Sequence, residues 1–563
     1  MADKKILFFF HLAVSLLMMY LIARYHEAYP SVVKGDFLLM VLCVVYILTI
    51  LYFFLFNNKW ASKIAIIPIA LICAYEVYLG LSQLFGYTSS NHSLFSITGS
   101  FQNPGPYGGF LSVCISLFVA YCVKYSDDKK SKLLSKLLYY AVSVVVVLAI
   151  IILPSTQSRS AILALGCSMI LMAFGNEIIR ERIKPFLKRY GILLSIGFVA
   201  AGIGAYMIKK PSADGRFFMD RICIKTICDN GLRGAGTGRF GVAYGQTQAR
   251  YFKEQIDKNG KDDLDWTVIN EHSRMTADCP DNAYNEYLFL GVEEGPIAML
   301  LFIVVIVTAV VISFRSNIIW CYGLTTLAVF AFFSYPIHVV QFQIMLAILL
   351  PACVSDGQYS VCIKVQRAGR YTALSIMAIT LMALSVAIVL RVPQAKRYKQ
   401  AALSWKKVER WHKMEYYEYV IEESDALIPF FNNDRHFLFV YGQSLNKIGQ
   451  YEKSDSILKL GTEISSDPMF WNVMGNNSLE LGRYREAEER YKHAFYMVPN
   501  RLYPLYLLSK LHHLKGDSIR FLEMSDMVES FVPKVESINT ESLRSEIREL
   551  KSNYISSFVE EKK

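Results

Sequence analysis

Apolar residues run along the first two thirds of this chain in blocks of 17 to 25 with few charges, separated by short polar stretches. Such a block has no polar face, so it is too apolar for the surface of a soluble domain. As a helix it is long enough to cross a hydrocarbon core of about 30 Å. The pattern predicts helical spans near residues 6–23, 37–56, 63–82, 106–123, 137–153, 160–174, 190–207, 295–313, 317–334, 338–353 and 371–390, about eleven in all. The first follows Lys4-Lys5, in the basic-then-apolar order of a signal peptide. It shows no clear small-x-small cleavage site and is expected to be retained as a helix.

After about residue 391 the apolar blocks stop and charged residues accumulate. The expected division is therefore 1–207 and 295–390 as membrane helices, 208–294 as one large loop, and 400–563 as a separate domain. Lys59, Lys63, Lys124, Lys129, Lys130, Lys132, Lys136, Arg180, Arg182, Lys184, Lys188, Arg189, Arg315, Lys364, Arg367 and Arg370 all fall between spans on one side, and the short loops opposite carry almost none. By the positive-inside rule that side is the cytoplasm, and the long loop and C-terminal domain lie outside it. Arg391, Lys396, Arg397 and Lys399 pull against this placement, which rests on the odd number of spans.

The C-terminal region repeats with a period near 34. One copy, WNVMGNNSLELGRYREAEERYKHAFYMVP, has Trp471, Gly475, Gly482, Tyr484, Ala487, Tyr491, Ala494 and Pro499. The copy before it keeps Gly449, Tyr451 and Pro468, and the one after keeps Gly516 and Pro533. The pattern resembles tetratricopeptide repeats, whose helix pairs stack into an α-solenoid and bind peptides or protein partners. A stabilising role without any ligand is the competing expectation.

The composition is 53% hydrophobic with a net charge of +11. Because so many of the basic residues flank spans, the charge argues against nucleic acid as a partner. Cys43, Cys73, Cys114, Cys122, Cys167 and Cys321 lie in or beside apolar blocks and act there as small hydrophobes. Cys223, Cys228 and Cys279 share the long loop, where one disulfide is conceivable.

Charges kept beside outer span ends are candidates for function. Arg159 lies in ILPSTQSRSAILAL, in a connection only a few residues long, and the competing expectation is an arginine that anchors a helix end. Arg216 and Arg221 lie five apart at the start of the long loop, followed by Asn230 and by Gly234-x-Gly236-x-Gly238. No strand precedes these glycines and no Walker lysine follows, so they are expected to make a tight turn rather than a nucleotide loop. Several guanidinium groups facing one pocket suit a diphosphate, because each presents a planar fork of donors and stays charged.

The loop ends in ADCPDNAYNEYLFLGVEEG. Here Asp281 or Asn282 is expected either to cap the next helix, with Glu286 favouring its first turn, or to orient or deprotonate an acceptor hydroxyl.

These segments resemble the superfamily of bacterial O-antigen ligases, O-antigen polymerases and protein O-oligosaccharyltransferases over about residues 60–350. The likeness is carried in order by GLSQLFG (Gly80 to Gly86), GSFQNPGPYGGFLS with Asn103 and Pro104, STQSRSA with Arg159, Gly215-Arg216, GLRGAGTGRF, DNAYNEYL leading to Glu293-x-Gly295, and SYPIHVVQF with Pro336 and His338. It implies an all-α, GT-C-like membrane fold that uses no metal ion or cofactor. The implied reaction transfers a glycan from undecaprenyl diphosphate to an acceptor hydroxyl of lipid A core or protein, with inversion, at the outer face of a bacterial inner membrane.

Arg159, Arg216 and Arg221 would then bind the diphosphate, and Asn282, Tyr284 and Asn285 would position the acceptor. The family usually has a histidine where this chain has Tyr284. Asp281, His272 and His338 are the candidates for the missing base, and a neutral imidazole is better matched to pH 7 than a carboxylate. Glu76, inside a span in CAYEVYLG, is expected to serve structure, because it would repel a diphosphate. Polymerisation of lipid-linked glycans shares all these motifs. A scaffold that recruits proteins through its repeats is the alternative of another class. A transporter is disfavoured, since no internal pseudo-symmetry of spans is evident.

Overall fold

The computed structural model describes residues 2–28, 33–56, 61–126, 133–175, 180–181, 184–186, 188–190, 204, 207, 210–316, 318–355 and 367–560, and every regular element among them is helical. Six helices are long and apolar enough to cross a membrane: Leu38–Leu55, Ala61–Leu84, Pro104–Tyr125, Ser135–Thr156, Pro296–Arg315 and the first part of Tyr371–Lys413. Four further predicted spans fall on shorter apolar helices, Phe9–Arg24, Arg159–Gly175, Trp320–Ala331 and Val340–Ser355. The predicted span at 190–207 lies outside the described residues apart from Tyr190, Gly204 and Met207.

The chain forms two compact units, Met1–Lys210 with Ala283–Arg391, and Pro211–Asn282 with Val392–Lys563.

In the first unit we label the helices α1 (Ala2–Ala28), α2 (Val33–Leu55), α3 (Ala61–Leu84), α4 (Pro104–Tyr125), α5 (Leu133–Ile152) and α6 (Arg159–Gly175). Helix α4 is the central one, and Phe110, Leu111, Leu117, Phe118 and Tyr121 on it are all buried. Lipid tails are as apolar as a protein core, so association here depends on close packing and on small polar residues rather than on escape from water. Gly109 is packed so tightly on Phe330 that a Cβ would stand 2.4 Å from its ring. Thr326 donates to Ser116 Oγ at 2.8 Å, and Ser168 donates to the Tyr322 carbonyl at 2.8 Å.

The second unit contains α7 (Lys210–Asn230), α8 (Phe240–Asn259) and α9 (Glu271–Thr276) from the long loop. Between α7 and α8 the backbone has positive φ at Gly231, Gly234, Gly236 and Gly238, at 64°, 68°, 107° and 74°. A Cβ disfavours that region, which is why the reversal is written in glycine. The turn lets α8 return along α7, where Phe252 stacks on Phe218 at 5.8 Å.

The first unit resumes at Ala283 with α10 (Glu286–Glu294), α11 (Pro296–Arg315), α12 (Trp320–Ala331) and α13 (Val340–Ser355). Helix α14 (Arg367–Lys413) then leads into α15 (Tyr417–Phe431), α16 (Arg435–Lys447), α17 (Tyr451–Thr462), α18 (Met469–Glu480), α19 (Tyr484–Met497), α20 (Tyr503–Leu514), α21 (Ser518–Ser530) and α22 (Ile538–Glu560).

From α16 to α21 the helices pack in successive pairs. Each pair turns on a glycine with positive φ: Gly449, Gly482 and Gly516. Gly442 lies against Leu458, and Gly475 against Tyr491, so closely that a Cβ would stand 2.5 Å and 2.2 Å from those side chains.

Polar groups join the loop helices to these pairs. Asn500 Nδ2 donates to the carbonyls of Arg274 and Ala277, both at 2.8 Å, and Gln248 donates to the Met497 carbonyl at 2.6 Å. Arg274 is 2% exposed, lies 4.8 Å from the Trp266 ring centroid and 5.2 Å from that of Phe531, and donates to the Val532 carbonyl at 2.8 Å. Tyr496 reaches the Asp263 carbonyl, and Lys492 the Asp263 carboxylate at 2.7 Å. Cys223, Cys228 and Cys279 are free thiols, so the conceivable loop disulfide is not formed. Cys279 is instead packed against the Arg501 guanidinium at 3.2 Å, and burial pushes its thiol up to about 11, with Arg501 opposing.

Candidate functional site

The turns that join α3 to α4, α5 to α6 and α12 to α13, together with the start of α10, meet at one end of the membrane unit. The α3–α4 connection is held by two side chains of α3. Gln83 accepts from the N–H groups of Thr98 and Gly99, both at 2.8 Å, and donates to the Gly99 carbonyl. Glu76, 3% exposed, accepts from the Ser100 amide at 3.0 Å and from its hydroxyl at 2.5 Å. A buried carboxylate is stable only when hydrogen-bonded or paired, and Ser100 supplies both bonds. Glu76 therefore shapes this connection. The fixed loop ends at Asn103, which caps α4 by accepting from Gly105 N at 2.8 Å.

Against this loop lies the α5–α6 turn, where Gln157 has a left-handed φ of 51° and Ser158 donates to the Gly105 carbonyl at 3.3 Å. Gly108 makes the approach possible, since a Cβ there would stand 2.6 Å from Thr156 Oγ1. Arg159 is the first residue of α6 and is exposed. A helix N-terminus carries unsatisfied N–H groups and partial positive charge, so a guanidinium there adds to a field that already favours an anion.

On the other side of the loop, Gln341 donates to Ser100 Oγ at 3.4 Å. Three residues earlier, His338 closes the short turn Pro336–His338 that precedes α13. Its Nδ1 lies 3.2 Å from Glu286 Oε1, which also accepts from the Ile337 amide at 2.5 Å, and Glu286 is 2% exposed. Gln343 donates to the Ile337 carbonyl at 2.6 Å, and the edge of the Phe289 ring packs on the imidazole at 4.1 Å between centroids. Burial lowers the His338 pKa, but the charge and hydrogen bond of Glu286, with the charge of Glu293, outweigh it and leave it above the ordinary histidine value. With Nδ1 held by Glu286, Nε2 is the nitrogen left to exchange a proton, and the His338 side chain is 31% exposed.

The other predicted residues are distributed as follows. Asn285, neither Asp281 nor Asn282, caps α10: its Oδ1 accepts from Tyr287 and Leu288 N–H, both at 3.2 Å. The cap falls to Asn285 because it is the residue immediately before the first helical one, with extended backbone at φ −153°. Tyr284 meets Tyr335 edge-on at 5.7 Å. Asp281 belongs to the second unit, where it is ion-paired with Arg435. Burial raises its pKa, Arg435 opposes the rise, and Asp467 adds to it. His272, 62% exposed, is 3.8 Å from Asp214.

Arg216 and Arg221 both lie on α7, but five residues on a helix turn a side chain by about 140°. Arg216 acts on Asp220, whose carboxyl burial pushes up to about 6 against the pull of Arg216. Arg221 lies over the Tyr251 ring at 5.3 Å. The structure thus sets the Arg159 turn against one part of the connection that ends at Asn103, and the turn that carries His338, with Glu286, beside another part of it; it turns Arg221 away from Arg216.

No protein-family model matches this chain, and no curated protein matches it.

Proposed function

We propose that the chain is a bacterial inner-membrane glycosyltransferase of the O-antigen ligase type, which moves a glycan from undecaprenyl diphosphate to an acceptor hydroxyl on lipid A core or protein. The observation that carries this reading is the pairing of buried Glu286 with the accessible imidazole of His338, joined through the Ser100–Gly105 loop to the turn that presents Arg159. It places an imidazole of raised basicity and a guanidinium at a helix N-terminus on connected turns at one end of the membrane helices.

In the reaction, His338 Nε2 takes the proton of the acceptor hydroxyl as its oxygen forms the new bond to the anomeric carbon. The bond from that carbon to the diphosphate oxygen breaks on the opposite face, which inverts the centre. Arg159 and the α6 N-terminus compensate the charge that develops on the departing diphosphate. Glu286 fixes the tautomer and orientation of His338, and so supplies the base that Tyr284 cannot. Arg216 is carried as a further diphosphate ligand by the resemblance alone.

We take the long loop and the C-terminal helices, as tetratricopeptide-type repeats, to lie in the periplasm. Because residues 211–282 and 392–563 share one compact unit, they occupy one compartment. The number of crossings between them is then even, despite the basic residues after 391.

Deletion of the gene with glycan profiling tests the reading. Loss of the lipopolysaccharide ladder with accumulation of lipid-linked glycan identifies a ligase or polymerase, and loss of glycoprotein staining an oligosaccharyltransferase. Unchanged glycans in every fraction contradict it.

A further inference from the structure

Helices α7 and α8 enclose an open groove of about 330 Å³, within the size range of small-ligand sites. Arg221 and Lys225 line it from α7, and Tyr251, Glu254, Lys258 and Asn259 from α8. Tyr251 is buttressed by Phe218 at 5.8 Å and Phe252 at 5.2 Å, and its ring has two cations over it, Arg221 at 5.3 Å and Lys225 at 5.8 Å.

Glu254, the one carboxylate of the lining, is already paired with Lys225 at 3.2 Å. Arg221 and Lys258 have no carboxylate partner among the described residues, so the groove holds two uncompensated positive charges beside an aromatic ring. A guanidinium matches the two oxygens of a carboxylate or phosphate, the ring offers an apolar face to C–H groups, and the Asn259 amide can both donate to and accept from hydroxyls. These are the needs of one ligand class.

We infer that the α7–α8 groove binds a saccharide bearing a carboxylate or phosphate, with Arg221 and Lys258 on its charge and Tyr251 against its ring. Arg221 thereby has a role away from the diphosphate. The assignment rests on the groove and not on the transfer reaction.

The test is calorimetric titration of the full chain in nanodiscs with trigalacturonate, glucose 6-phosphate, maltotriose and inorganic phosphate. At least one of the two acidic saccharides is expected to bind about tenfold more tightly than both maltotriose and inorganic phosphate, and which one does names the acid. Arg221→Gln and Lys258→Gln should each weaken it several-fold without changing Tm, since both side chains are exposed. Tyr251→Phe should retain it and Tyr251→Ala lose it. Equal binding of maltotriose or inorganic phosphate, no binding of either acid, or affinity unchanged in Arg221→Gln overturns the assignment.

Discussion

The two units of this protein use polar groups in opposite ways. In the membrane unit the buried charges include Glu76 on Ser100, Glu286 on His338, Glu294 on Arg24 at 3.1 Å, and Lys63 over the Tyr125 ring at 4.5 Å. In the second unit, bonds from side chains to carbonyls more than 200 residues away join the long loop to the C-terminal helices. Hydrocarbon penalises every unpaired polar group, so each charge kept there is tied to a particular partner. In water such bonds add little net stability singly, but buried together they fix one docking geometry. The first unit therefore ties single charges to single partners, the Glu286–His338 pair of the proposed site among them, and the second spreads its polar bonds along an interface.

The largest effect expected to sharpen this contrast is on activity. His338→Ala should lower transfer by about 10²–10⁴-fold, the range for removal of a general base, with little change in the folding of the second unit. Comparable loss of folding in both units would break the contrast.

Arg274→Ala should do the reverse. It removes a buried guanidinium from between two rings and leaves the Val532 carbonyl unpaired, destabilising the second unit by about 2–4 kcal/mol. Limited proteolysis should then cut the 260–282 region faster. Asn500→Ala, which orphans the Ala277 carbonyl and leaves that of Arg274 with only the long bond from the Ala277 amide, should cost about 1–3 kcal/mol and show the same cleavage pattern more weakly.

The smallest effect is a displaced pH profile. A base with a raised pKa is protonated and idle at low pH, so the acid limb of kcat/KM should fall above the ordinary histidine value near 6.5. Glu286→Gln should move that limb downward. By the same linkage, the His338 pair contributes stability below about pH 6.5, and that contribution is lost as pH rises through the folded-state pKa. A limb that does not move in Glu286→Gln separates His338 from the base.

Much of the architecture was legible because apolar block length is a direct physical signal. The helices at 104–125 and 296–315 fall where the apolar pattern puts them. The glycine reversal after Asn230 is the expected tight turn. The docking of the loop was not legible, because Asn500, Gln248 and Arg274 bind backbone carbonyls, and a carbonyl leaves no mark in residue type. The pairing of Glu286 with His338 was hidden by a separation of 52 positions, although each was visible as a polar residue beside an apolar run. The separation of Arg216 from Arg221 was available in principle: once both lie on one helix, a spacing of five turns them to different faces.

The central claim is that glycan transfer occurs at the end of the membrane unit where Arg159 and His338 lie. The most direct measurement is release of undecaprenyl diphosphate, with formation of glycosylated acceptor, by the purified chain in liposomes supplied with lipid-linked glycan and lipid A core or protein acceptor. The account predicts turnover by the native chain and loss of about 10²–10³-fold in Arg159→Ala, with unaltered Tm. Turnover that is undiminished in both Arg159→Ala and His338→Ala would contradict it.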